Sequence, residues 1–281
     1  MRWTAVLCFL LAFIAQPAAA QGPLAAQLQN HLSSLVTTKS ADVGVAAIDL
    51  ATGETVSVRG NQRYPMASTV KVAVAATYLA YVEKGDRSLQ DTIGGQSAAA
   101  LMKAMITRSD NHATDLLIRD LGGPDTVQRW LDWHKVQGIR VDRTIAQLLR
   151  AKRDLYEDLD SATPLAFADF LKRLDKGEFL RSWSKNYLLD LMAQCKTGSN
   201  RMKALLPEGT VAHKTGTLNG YTSDVGFITL PNGHRVAVAI FARGGANRPR
   251  AIAEAARTIY DGFLGVIGWP YSTASAFSAP K

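Results

Sequence analysis

The chain has 281 residues, 47% of them hydrophobic and 20% charged, with a formal net charge of +8. That is enough apolar material for one large domain or two entwined lobes, and the ordinary Gly and Pro content excludes collagen-like and disordered classes. A basic balance suits nucleic acid, an anionic wall or membrane, or acidic small molecules. However, no aromatic residues interleave with the cluster Arg140, Arg143, Arg150, Lys152 and Arg153. No nucleic-acid motif accompanies it either, so it reads as a solvated face.

The N-terminus reads as an export signal. Arg2 gives a positive start, Val6 to Ala15 is apolar, and Ala18-Ala19-Ala20 offers small residues for cleavage before Gln21. The stretch is too short for a stable membrane anchor, and no later segment reaches the ~18 apolar residues a span needs. Cleavage removes Arg2, lowering the charge by one, and Cys8, leaving Cys195 as the sole cysteine. No intrachain disulfide can then form. Cys195 ends a helical apolar pattern beginning at Leu188 and reads as a buried structural thiol.

In the expected mature chain, Leu24 to Leu35 is an amphipathic helix. Val43 to Asp49 is a strand, the residues from Ala51 to Glu54 are a turn, and Thr55 to Val58 is the hairpin partner. From Ser68 to Ala204 the signals are mainly helical, and Val70 to Tyr81 is apolar nearly all round, the mark of a buried helix. Strands return at Thr210 to Thr217, Thr222 to Leu230 and Arg235 to Phe241, with a tight turn at Pro231-Asn-Gly. Ala251 to Phe263 closes the fold as a helix, and a loose tail is expected from Gly268.

This order predicts an α+β fold: a five-stranded antiparallel sheet with flanking helices, built from both ends of the chain, plus an inserted all-helical lobe. In residue numbers, a signal peptide at 1–20 precedes a catalytic domain at 21–281. Its sheet lobe covers about 21–66 and 207–267, and its helical lobe about 67–206. The cleft between such lobes is the natural substrate site.

Three short motifs stand in order: Ser68-Thr-Val-Lys71, Ser109-Asp-Asn111 and Lys214-Thr-Gly216. A serine opening a helix, with lysine one turn on, puts both side chains on one face. The hydroxyl is a poor nucleophile until a base takes its proton, and a lysine can be that base if burial and nearby cations lower its pKa. Two of the motifs have duplicates, Ser182-Trp-Ser-Lys185 and Lys196-Thr-Gly198. Context selects between them. Ser68 opens the most apolar helix, and Lys214-Thr-Gly216 ends a strand, where backbone can lie along a substrate; Lys196 follows a helix.

The ordered set resembles the class A β-lactamases and their penicillin-binding relatives, whose signature motifs these are. The likeness extends through Ser109-Asp-Asn-His-Ala-Thr-Asp-Leu-Leu, Leu121-Gly-Gly-Pro, His213-Lys-Thr-Gly-Thr and Asp224-Val-Gly-Phe-Ile-Thr-Leu, and covers about Leu24 to Gly265. It implies acylation at Ser68, Lys71 as a candidate base, and a proton relay through Ser109 held by the charge of Lys214. It further implies an oxyanion hole from the backbone N–H groups of Ser68 and Thr217. The substrate amide would meet Asn111, the backbone of the Gly216 strand would lie along the substrate, and the hydroxyls of Thr215 and Thr217 would meet its carboxylate. It calls for no metal, cofactor or nucleic acid, and for an exported monomer acting on a small β-lactam or a peptidoglycan-like substrate.

The chain departs from that family in several places. After Asp142-Arg143, Ile145 stands where the family carries the glutamate that activates the deacylating water, and Leu149 where it carries a supporting asparagine. Gln147 is polar but cannot be a base. Glu157 or Asp154 could reach the site from elsewhere on the loop, whose neck Arg143 and Asp160 can close; Glu157 is the candidate deacylation base alongside Lys71. The interval between Ser68 and Ser109 is short, which implies an open site. His213 stands where an acid is common and reads as a packed strand residue. Arg243, Arg248 and Arg250 are candidates for carboxylate binding.

Three readings follow: a β-lactamase, a D-alanyl-D-alanine peptidase or slow-turnover penicillin-binding protein, and a binder that stays acylated and signals. Lys214→Ala is expected to slow acylation by several orders of magnitude, because it removes a cation facing the reacting groups. Lys196→Ala should change the rate little. Single-turnover acylation of the two variants checks the choice between the motifs, and the opposite ranking would overturn it.

Overall fold

The computed structural model describes residues 23–152 and 154–265. The expected signal peptide at 1–20 and the tail from Gly268 lie outside them. Among the described residues the sheet has five strands: β1 (Asp42–Asp49), β2 (Thr55–Val58), β3 (Val211–Leu218), β4 (Tyr221–Thr229) and β5 (Arg235–Arg243). Their order is β2-β1-β5-β4-β3, antiparallel throughout. The pairing of β1 with β5, Asp42 opposite Arg243 and Asp49 opposite Val236, joins the two ends of the chain. The fold class expected from the sequence is the one found.

The sheet is buried on both faces, which explains why its inner strands read as near-continuous apolar runs. Side chains alternate between faces along a strand. Val45, Ala47, Val238 and Ile240 join one cluster, packed under the N-terminal helix α1 (Pro23–Thr37) and the closing helix, while Ala46, Ile48, Ala239 and Phe241 join the other, with the buried helices.

Helix α2 (Lys71–Lys84) is buried without interruption from Lys71 to Ala80, as its all-round apolar sequence required. It ends at Gly85, whose φ of 82° supplies the left-handed cap. Around it lie α3 (Ala98–Thr107), α4 (Asn111–Asp120), α5 (Pro124–Trp133) and α8 (Ser182–Ala193). The short α6 (Ile145–Arg150) sits against α4. Helix α7 (Pro164–Asp175) falls inside the range expected to be the helical lobe, yet it packs on β1, β4 and β5. Its buried Phe167 and Phe170 explain this: Phe167 meets both Phe170 and Phe241 of β5 edge to face, a contact that needs the sheet face. The last helix, α9 (Arg248–Phe263), begins earlier than its apolar pattern suggested, because Pro249 is pre-set for a first helical turn.

Gly226 of β4 pairs with His213 of β3. A Cβ at Gly226 would overlap the Ala212 carbonyl oxygen and lie 2.6 Å from His213 Cα. Both obstacles are backbone and cannot swing aside. Gly226→Ala should therefore destabilise the protein by about 1–3 kcal/mol, read as a lowered midpoint in denaturant unfolding with an unchanged slope.

Candidate active site

Ser68 sits in a 3-10 turn, Ala67–Val70, that runs directly into α2. Ala67, a buried non-glycine residue, holds a φ of 49°. Such strain persists only where surrounding packing over-determines it. Strand β3 crosses beside this turn. A Cβ at Gly216 would lie 2.7 Å from the Met66 carbonyl oxygen and 3.1 Å from Ala67 Cβ, so only glycine lets the strand come this near. Ser109 also carries a positive φ, 58°, at the corner between α3 and α4. The side chain of Asp110 then caps α4 by accepting from Ala113 N at 2.8 Å, which fixes the corner.

These three pieces bring the motifs together. Ser68, Ser109, Asn111, Thr215 and Thr217 line one open cleft of about 460 Å³, which Thr197, Gly198 and Arg201 complete. Lys71 and Lys214 are both fully buried beneath it. Lys71 Nζ donates to Ser109 O at 2.8 Å and to Asn111 Oδ1 at 2.7 Å, and lies 3.2 Å from Ser109 Oγ. Lys214 Nζ donates to the same Ser109 Oγ at 2.9 Å and to Thr215 O at 2.8 Å. One hydroxyl thus links two lysines.

Burial penalises both ammonium groups. Lys71 is pushed down to about 7 by burial and then by Lys214, against the opposing pull of Asp110 and Asp115. Lys214 is lowered to about 8 by burial, with Arg201 adding to the effect and Cys195 and Asp224 opposing it. A lysine with a pKa near neutrality can exchange a proton; one kept charged can bind an anion.

Arg201 was not legible in the sequence. It precedes the 3-10 turn Met202–Leu205, donates to Gly216 O at 3.0 Å and Ser223 O at 2.9 Å through Nη1, and donates to Thr217 Oγ1 at 2.7 Å through Nη2. The three arginines named from sequence are elsewhere. Arg243 is buried, bound to Asp42 at 2.9 Å and to the carbonyls of Arg63 and Leu155, under the rings of Tyr64 and Tyr156. Arg248 donates to the Gly244 and Gly245 carbonyls, and Arg250 pairs with Glu254. None of the three lines the cleft.

The duplicate motifs also separate. Lys185 Nζ donates to Asp175 O at 3.0 Å, and neither Ser182 nor Lys185 lines the cleft. Lys196 is exposed, as a residue outside the cleft. Its neighbours Thr197 and Gly198, however, do form a wall of it: Thr197 Oγ1 lies 2.6 Å from Thr215 Oγ1. Gly198, at φ 80°, allows that contact, since a Cβ there would collide with Thr215 Cγ2.

The loop carrying Ile145 is held at both ends. Arg143 donates to Asp160 Oδ2 at 2.5 Å and to Glu157 Oε1 at 2.5 Å, closing the neck. Asp115 of α4, itself nearly buried, accepts from Ile145 N at 2.7 Å and Ala146 N at 2.9 Å. Ile145 is 4% exposed, an aliphatic side chain packed in the core cluster. Leu149 is half exposed. Glu157, one of the two candidate deacylation bases, pairs with Arg143 and lines a small cavity with Asp154, Leu148 and Leu159 rather than the cleft of Ser68.

Comparison with known proteins agrees with this geometry. The model of the beta-lactamase enzyme family matches residues 23–263. The extended-spectrum β-lactamase PER-1 of Pseudomonas aeruginosa is 30% identical over 92% of this chain and 93% of its own length. A β-lactamase of Streptomyces fradiae is 32% identical over 82% and 84%. Among solved structures, that of the TLA-1 extended-spectrum β-lactamase superposes with a TM-score of 0.80 at 29% identity, covering 85% of this chain and 99% of that one.

Glu157→Gln should leave release of an acyl-enzyme nearly unchanged, whereas loss of a general base costs ~100-fold to 10,000-fold. Single-turnover decay of the adduct by intact-mass spectrometry checks this, and an adduct that persists in the variant alone would restore Glu157 as the base. With sheet order, motif geometry and sequence in agreement, the chain belongs to the class A serine β-lactamase family.

Proposed function

We propose that the protein opens β-lactam rings through an acyl-enzyme on Ser68, with Lys71 as the proton acceptor. One observation carries this reading: a single hydroxyl, Ser109 Oγ, is bonded to Lys214 Nζ at 2.9 Å and lies 3.2 Å from Lys71 Nζ, in the cleft that Ser68 lines. Lys71, one turn from Ser68, takes the serine proton when neutral. The proton then passes through Ser109 to the lactam nitrogen as its bond to the carbonyl carbon breaks. Lys214, as an ammonium, holds Ser109 and draws the substrate carboxylate.

The backbone N–H groups of Ser68 and Thr217 form the oxyanion hole in this reading. Asn111 accepts from Lys71 through Oδ1 at 2.7 Å, which leaves its amide N–H₂ to meet the substrate side chain. Arg201 and Thr217, joined at 2.7 Å, bind the carboxylate with Lys214. Thr215 contributes through Thr197, to which its hydroxyl is bonded. The first twenty residues export the protein to the compartment where such substrates are met.

Ile145 favours a slow second step. A core-packed aliphatic side chain, 4% exposed, cannot orient or deprotonate water. Lys71 is then the base that remains for release, and the acyl-enzyme accumulates. This behaviour also fits a peptidase or penicillin-binding protein of slow turnover.

The test is exposure to a β-lactam followed by intact-mass spectrometry across pH. Wild type should gain one adduct and Ser68→Ala none; an adduct on the alanine variant overturns the nucleophile. Acylation should rise as pH passes about 7, where Lys71 becomes neutral, and fall above about 8, where Lys214 loses its charge. A profile flat through both would remove the two-lysine mechanism.

A further inference from the structure

Strand β3 lies at the edge of the sheet, and two of its hydroxyls reach the cleft, those of Thr215 and Thr217. Each is met by a segment from the turn after α8. Thr217 Oγ1 accepts from Arg201 Nη2 at 2.7 Å. A guanidinium only donates, so the Thr217 hydroxyl keeps its own hydrogen. Thr215 Oγ1 lies 2.6 Å from Thr197 Oγ1. Here both partners are hydroxyls, each with one hydrogen and two lone pairs. One hydrogen lies between the two oxygens, and the other is left to donate elsewhere.

Thr197 is held in place by its own neighbours in the chain. Lys196 N donates to Thr107 O at 2.8 Å, close to the Ser109 corner, and Arg201 N donates to Gly198 O at 3.0 Å. Lys203 Nζ donates to Cys195 O at 2.8 Å. Gly198 lets the turn press on Thr215, since a Cβ there would lie 2.5 Å from Thr215 Cγ2. Both branches of Thr215 are therefore gripped, the methyl by Gly198 and the hydroxyl by Thr197. Among the described residues Thr215 Oγ1 has no hydrogen-bond partner but Thr197, whereas Thr197 Oγ1 also has Cys195 Sγ at 3.3 Å, a group able to donate or accept. Among the described residues no acidic side chain lines this cleft; Arg201 lines it and Lys214 is buried beneath it. Such a lining suits an anion. An anion over Thr215 gains a hydrogen bond only if Thr215 has kept its hydrogen, so an anion selects the arrangement in which Thr197 is the donor.

We propose that Thr197 is a positioning residue for the substrate carboxylate: it donates its hydroxyl hydrogen to Thr215 Oγ1, and Thr215 donates its own to the carboxylate. The proposal rests on the reading of the cleft given above and deepens it by one residue. Thr197 then does for Thr215 what Arg201 does for Thr217. Each strand hydroxyl accepts from the turn after α8 and donates into the cleft, and a hydroxyl that accepts one hydrogen bond donates a stronger one. A carboxylate profits most, because hydrogen bonds to a charged acceptor are the strong ones. The side chain at 197 thereby acts on substrate through Thr215.

The experiment compares wild type with Thr197→Val, Thr197→Ser, Thr215→Val and the double variant of Thr197→Val with Thr215→Val. Acylation by a chromogenic cephalosporin is followed by stopped flow over a range of concentrations, which separates the dissociation constant of the first complex from the limiting acylation rate. Thr197→Val keeps the shape and loses the hydroxyl, and should raise the dissociation constant by about 3- to 10-fold. Thr197→Ser loses the methyl and keeps the hydroxyl, and should stay within about twofold of wild type. A packing defect would rank these two the other way. With Thr215 already valine, Thr197→Val should add less than about twofold, because its route to the substrate is gone. Unchanged affinity in Thr197→Val, a serine variant as weak as the valine one, or an undiminished loss in the double variant overturns the proposal. If wild type is not acylated at all, the reading of Ser68 fails. Titration calorimetry with inorganic phosphate then judges Thr197 separately: wild type should bind it about 3- to 10-fold more tightly than Thr197→Val, and equal affinity or no binding overturns the proposal too.

Discussion

Two buried lysines share one serine hydroxyl, and the rest of the molecule is arranged around the difficulty of keeping them there. Ammonium groups out of water favour losing their protons, and two of them together favour it more. Lys71 and Lys214 are both fully buried and both reach Ser109 Oγ. Their surroundings differ in a way that divides the labour. Lys71, lowered by burial and by Lys214 against the pull of Asp110 and Asp115, sits near neutrality, where it can accept a proton. Lys214 has Cys195 and Asp224 behind it and holds its charge to higher pH. One lysine is thereby suited to proton transfer and the other to anion binding, from the same residue type.

Three backbone constraints make this meeting geometric rather than incidental. The Ala67 strain turns Ser68 into position at the head of α2. The left-handed Ser109 places its carbonyl and hydroxyl within reach of Lys71. Gly216 removes the side chain that would hold β3 away from Met66 and Ala67. Each constraint lies on a different segment, and the buried sheet and α2 hold the segments at fixed distance. A shift of an ångström in any one would separate the two lysines, a scale at which catalytic groups lose much of their effect.

The loop after α5 shows the reverse case, in which a scaffold persists while the chemistry expected on it changes. Arg143 still closes the neck through Asp160, and Asp115 still pins the start of α6 through two backbone N–H groups. These bonds act on the backbone and do not depend on the side chain at 145. Ile145 can therefore occupy the position without collapse of the loop, packing into the core. Glu157 joins the neck through the same arginine.

What the sequence determined by itself was local. The two-residue and 3.6-residue periods fixed the strands and helices, and the motif spacing identified Ser68, Lys71, Ser109 and Lys214, because Ser68 and Lys71 lie one turn apart and the other two stand in short recognisable runs. The tertiary structure decided everything that joins distant segments. Arg201 and Thr197 belong to no motif that marked them, and they reach the cleft only because the chain after α8 folds back across β3. Arg243, Arg248 and Arg250 were equally plausible as basic residues, and only their pairing with Asp42, loop carbonyls and Glu254 removed them. Glu157 had the right chemistry, but its fate depended on which cation it would meet. The buried pair of His213 and Asp224, 2.7 Å apart, joins two neighbouring strands at residues that read singly as packing. Composition and periodicity report which side chains are buried and how a segment coils; which charges face each other is fixed only when sheet register and loop closure set distances between residues far apart in the chain.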